Sequence, residues 1–112
     1  MSFLLMLLFS LSGHALELKN QEGKVFSFIE VKEMRVSSSC KKECLALKDY
    51  SEKVKDFQWK RGNPASEFCL HVGGTDQILS YPNLDQDSAC LFSDGSYILS
   101  WDLYRKNQKG HK

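Results

Sequence analysis

The chain opens on an apolar run, Phe3 to Leu11, broken only by Ser10; after it, hydrophobic residues come in short clusters between polar turns. That run is too short to span a bilayer but has the length of a secretory h-region. Gly13-His14-Ala15 supplies the small side chains a signal peptidase needs, so a leader of residues 1–15 is expected, cut between Ala15 and Leu16. Met1-Ser2 adds no Lys or Arg, so the leader's n-region charge rests on the amino terminus. Beyond a turn at Gly23, Val25 to Val36 is rich in Val, Ile and Phe and predicts one strand, apolar on both faces near Phe26, Phe28 and Ile29. Ser37-Ser38-Ser39 offers an N-cap, and a helix from Cys40 to Tyr50 would set Cys40, Cys44 and Leu47 on one stripe. Ser51 to Trp59 fits neither period.

The second half is more sharply punctuated. Asn63-Pro64 combines a favoured N-cap with proline at the first helical position. It predicts a helix from Pro64 to Val72 that turns Ala65, Phe68, Cys69 and Val72 to the core. Gly73-Gly74 ends that helix. Gln77 to Tyr81 reads as a strand, Pro82 to Ser88 as a polar loop, and Ala89 to Ser93 as a second strand. Asp94-Gly95 is a strong hairpin signal, with Ser96 to Trp101 as the returning strand. The expected architecture is α+β: one helix on a three-stranded antiparallel meander, preceded by a strand–helix extension. Its divisions are a leader (1–15), an extension (16–60), a domain (61–105) and a basic, solvated tail (106–112).

Composition adds a compartment. Cleavage would leave about 97 residues, enough for one domain, and all four cysteines lie within them. An even count in a small exported chain reads as two disulfides, with three connectivities open. Zinc is disfavoured because Cys40-x3-Cys44 has no second close pair among Cys69, Cys90 and His71. The C-x-x-C of a thioredoxin-like redox site is absent. Fifteen Lys and Arg are interleaved with fourteen Asp and Glu, a pattern without the one-sided excess of a nucleic-acid binder.

Three motifs recur together in one known family. Asn63-Pro64-Ala65-Ser66-x-x-Cys69-x3-Gly73-Gly74, then Cys90-x-Phe92-x-Asp94-Gly95-Ser96, then Trp101-x-x-Tyr104 resemble the small bacterial domain of unknown function 333, whose members are often labelled hemolysins. The likeness runs from Gly62 to about Arg105. Many members carry two further cysteines, one where this chain has Ile98 and one near the C-terminal end. Their joint loss implies that Cys69 pairs with Cys90, leaving Cys40 with Cys44. The family implies a fold and an envelope setting more than an activity. Each motif residue also has a structural use, as cap, turn, bridge or core aromatic.

Candidate chemistry is sparse. His71 falls on the helix beside Phe68, Leu70 and Val72, and His111 in the tail. Asp94 or Asp102 could orient a base, but no nucleophile-elbow spacing accompanies the serines. Asp85 and Asp87 sit in a turn beside Asn83, where acids belong for backbone reasons; that segment lacks the twelve-residue frame of a calcium loop. No catalytic residue, metal or cofactor is therefore expected. Expected instead is an exported, non-catalytic module that binds an envelope or extracellular protein, without nucleic acid and without a spanning segment after cleavage. Its contact surface would be the aromatic-bearing hairpin or the Pro82–Ser88 loop. The alternatives are a protease inhibitor presenting that loop and a membrane-damaging hemolysin built on oligomeric hairpins.

Overall fold

A computed structural model describes residues 15–40, 43–59 and 62–108. The expected leader falls outside them up to residue 14, as does His111. The strands are β1 (Leu16–Lys19), β2 (Val25–Val31), β3 (Met34–Ser37), β4 (Thr75–Ser80), β5 (Gln86–Leu91) and β6 (Tyr97–Leu99). A 3₁₀ turn at Leu45–Leu47 and the helices α1 (Ser51–Val54), α2 (Pro64–His71) and α3 (Ser100–Gln108) complete the order.

The six strands form a closed antiparallel barrel, β1-β2-β3-β6-β5-β4, which corrects the expected helix-on-meander fold. β4–β6 do run as a meander, but β1–β3 form another, and the two close on each other. Val36 pairs with Ile98 on one side and Lys19 with Ser80 on the other. Closure covers edges that a three-stranded sheet would leave bare, although β4 meets β1 only at Ser80 and Lys19.

Alternation along the strands divides the apolar residues into two cores. Leu18, Phe26, Phe28, Leu79, Ala89 and Leu99 fill the barrel. Val36, Cys90 and Ile98 lie on its outer wall and pack with Phe68, Cys69, Phe92, Leu103, Ala46 and Tyr50 beneath the helices. Tyr97 bridges the barrel: its hydroxyl accepts from the Ser27 amide and donates to the Ser27 carbonyl, each at 2.9 Å.

Three local expectations change for identifiable reasons. Val25–Val36 is a hairpin of β2 and β3, turned at Lys32-Glu33 with φ of 50° and 68°. That two-residue turn requires positive φ twice and here uses no Gly or Asn to signal it. The Cys40–Tyr50 helix is absent from the described residues, because side chains satisfy the amides that a helix would have paired. Leu45 N–H donates to Asp94 (2.8 Å), Ala46 N–H to the Ser96 hydroxyl (3.0 Å) and Tyr50 N–H to Asn107 (2.7 Å). Ser37, expected as a cap, is instead buried in β3 and accepts from the Tyr97 amide. The strand expected to run to Trp101 stops at Leu99, and α3 begins at Ser100. Residues 106–108, read from sequence as the start of a tail, are its last turn, with Asn107 buried.

Candidate functional site

Helix α2 forms as its caps dictate. Asn63 Oδ1 accepts from the amides of Ala65 (2.8 Å) and Ser66 (3.2 Å), and Pro64 occupies the first turn. At the other end Gly73 takes φ of 92°, and the Gly74 amide donates back to the Cys69 carbonyl. This geometry brings Cys69 to β5, where it is bonded to Cys90; Cys40 is bonded to Cys44. Two disulfides in so small a chain point to an oxidising, extracytoplasmic setting. Among the described residues no helix is long and apolar enough to cross a membrane.

A cleft of about 350 Å³ lies where the start of α2, the β4–β5 ribbon and the first turn of α3 meet. Asn63 and Ser66 line it from α2, and Trp101 from α3. The ribbon contributes Asp76, Ile78, Gln86, Asp87 and Ser88. Ile78 and Ser88 are cross-strand partners, so they share a face; Ile78 is half exposed. The Ser88 hydroxyl is buried and has no hydrogen-bond partner among the described residues. Asp76 accepts from the Ser100 hydroxyl at 2.7 Å. Asp87 accepts from the Tyr81 hydroxyl at 3.0 Å and from the Ser88 amide at 2.9 Å. Burial first, and then the bond to Asp87, hold the Tyr81 phenol above its ordinary pKa.

Of the motif residues, Asn63, Ser66 and Trp101 therefore meet at one surface, although Trp101 is distant from the other two in sequence. The rest are distributed through the scaffold. Ala65 is fully buried. Phe92 stacks on Tyr50 with ring centroids 5.7 Å apart, and Tyr104 packs edge-on against Phe68 and Trp101. Gly95 turns the hairpin at φ 88°. Asp94 and Ser96 do more than turn it, since they hold the backbone of residues 45–46. Sequence reasoning missed that clamp, and it missed Asp76, Ile78 and Ser88, which carry no motif.

The remaining candidates are committed elsewhere. His71 Nε2 donates to the Lys53 carbonyl at 3.0 Å. Asp102 is buried and accepts from the Arg35 amide and from Arg105 Nη2, each at 2.8 Å. It sits in a second cleft, of about 470 Å³, with Lys32, Arg35, Arg105 and Lys106. Asp85 is bound by its neighbour Asn83. Among the described residues no three of His, Cys, Asp and Glu gather as a metal-ligating set.

Residues 61–107 match the family model of a domain of unknown function, DUF333. This is the family that the three motifs resemble. The DUF333 segment supplies α2, β4–β6 and α3, hence half the barrel's strands and all the lining of the first cleft. No curated protein matches the chain, and no solved structure does.

Proposed function

We propose that the protein is an exported, non-catalytic binding module, acting in the periplasm or the medium, whose contact surface is the cleft between α2, the β4–β5 ribbon and α3. The observation that carries this reading is the meeting of Asn63, Ser66 and Trp101 at a cleft floored by a partnerless Ser88 hydroxyl. A buried polar group without a protein partner is costly unless something else satisfies it. Export is supported by the leader pattern and by the disulfides. A non-catalytic role is supported by the engagement of His71, Asp94 and Asp102 in fixing backbone and side chains. The inhibitor alternative gains nothing from the β4–β5 tip, where Leu84 adopts φ of 74° instead of the extended form a protease cleft grips.

The test immobilises the mature, disulfide-intact protein and passes envelope extract over it, beside Trp101→Leu and Ile78→Ser versions of equal stability. Capture of one protein species by the parent, lost in both cleft variants, is expected. Equal capture by all three, or none, would sink the reading. Mass spectrometry of the exported chain should find Leu16 at its amino terminus.

A further inference from the structure

The cleft has a definite chemical character, and β4 has an open side next to it. We infer that the cleft takes the cationic end of a Lys or Arg side chain from a partner polypeptide laid along the free edge of β4; this rests on the cleft being the contact surface.

Charge comes first. Asp76 shares the cleft face with Ile78 and Ser88, Asp87 borders the cleft with its side chain turned to Tyr81 on the barrel side, and none of the lining residues is Lys, Arg or His. Neither carboxylate has an ion-pair partner among the described residues. The start of α2 would ordinarily favour an anion. Here its first amides are already taken: Ala65 and Ser66 donate to the Asn63 side chain and Glu67 to the Asn63 carbonyl. What remains is acceptors.

An independent observation points the same way. Ser88 is 8 % exposed, its Oγ is partnerless, and it shares the cleft face with Ile78. A hydroxyl oxygen can accept from an ammonium or guanidinium, both of which only donate. Trp101 and Ile78 offer an aromatic face and an aliphatic surface. Those suit a long side chain with an apolar stem and a charged head.

The strand pairing favours a polypeptide over a free polyamine. β4 pairs with β5 along its whole length but with β1 only through Ser80 and Lys19. The stretch Thr75–Leu79 therefore has a strand on one side and, on the other, no strand among the described residues but a gap bordered by the turn after β1, from which Asn20 Nδ2 donates to the Gln77 side chain at 3.3 Å. Asp76 and Ile78 lie in that stretch. An added strand would satisfy the open side while its side chains alternate toward the cleft.

The test titrates the mature protein, followed by two-dimensional NMR, with a blocked pentapeptide, Val-Thr-Lys-Thr-Val, and with its norleucine counterpart. Expected are saturable shifts at the Asp76–Leu79 amides and the Trp101 indole, with the Lys peptide at least about tenfold tighter than the neutral one. Asp76→Asn, which preserves shape, should weaken the Lys peptide about fivefold or more and leave the neutral one unmoved, whereas Asp87→Asn, on the other face, should have the smaller effect. Equal affinity for the two peptides, insensitivity to Asp76→Asn, or shifts confined to other surfaces would overturn the inference. So would spermidine binding as tightly as the peptide. In the envelope pull-down, a partner retained by Asp76→Asn but lost in Trp101→Leu rejects the cationic ligand alone and leaves the binding role standing.

Discussion

At Gly74 a β-carbon would collide with Cys90 Sγ and lie 3.1 Å from Cys69 Sγ, so the residue is glycine because the buried bridge passes directly over its backbone. Overpacking of this kind costs about 1–3 kcal/mol, and Gly74→Ala should lower the urea-unfolding free energy by that amount. Nothing within 4 Å opposes a β-carbon at Gly95, where the cost is backbone strain at positive φ. There Gly95→Ala should cost about 1–2 kcal/mol. Asp94 gives a pH signature. The Ser96 hydroxyl first, opposed by burial and aided by backbone amides including that of Leu45, holds its carboxyl below the ordinary value of about 3.9. A depressed folded-state pKa stabilises the protein above the unfolded-state value, and that contribution disappears as pH falls through the folded-state pKa. Melting temperatures from pH 7 to 2 should therefore show wild type above Asp94→Asn at neutrality, the gap closing as pH falls below the ordinary carboxylate range; a constant gap would refute the assignment. The cap at Asn63 was readable because its partners are two and three residues away. The clamp by Asp94 and Ser96 was not, because Leu45 and Ala46 lie 49 and 50 residues away.

Helix α3 hid from the hydrophobic pattern because three of its four buried positions, Ser100, Asp102 and Asn107, are polar and Leu103 alone is apolar. Each polar one is satisfied by a partner that folding brings in from elsewhere. Asn107 shows the economy of this: its Oδ1 accepts from the Tyr50 amide at 2.7 Å, while its Nδ2 donates to the Leu103 carbonyl at 2.8 Å. Asn107→Leu keeps the volume but orphans a buried amide, and such a loss costs about 1–3 kcal/mol. It should also accelerate hydrogen exchange at Tyr50 selectively; unchanged exchange there would show that the bond does not hold the segment. The β2–β3 turn escaped notice for the opposite reason. Lys32 and Glu33 accept a left-handed conformation that costs a non-glycine residue about 1–2 kcal/mol. Glu33→Gly should consequently stabilise the protein by up to about 1 kcal/mol, because relief of strain exceeds the added freedom of the unfolded chain. Where local signals and the fold agreed, as in α2 and the Asp94-Gly95 hairpin, the pattern alone located the element.

At the scale of the whole molecule the decisive contacts join segments that composition alone separates. The barrel's interior draws Leu18, Phe26 and Phe28 from β1–β2 and Leu79, Ala89 and Leu99 from β4–β6, so neither half encloses a core by itself. The Cys69–Cys90 bridge ties α2 to β5 within the DUF333 segment and does nothing to replace the missing wall. Residues 61–108 alone would present β4 and β6 as bare edges and expose half the barrel lining to water. Burial of three such side chains is worth about 1.5–3 kcal/mol each, comparable with the entire stability of a small domain. The isolated segment, with its bridge oxidised, should therefore show poor NMR dispersion and a tendency to associate through its edges. Supplying residues 16–60 as a separate chain should restore a dispersed spectrum in a one-to-one complex, since β3–β6 and β1–β4 pairing needs no covalent link between the halves. A well-dispersed, monomeric spectrum from 61–108 on its own would mean that this segment owns a complete core and that the barrel is not the unit of folding.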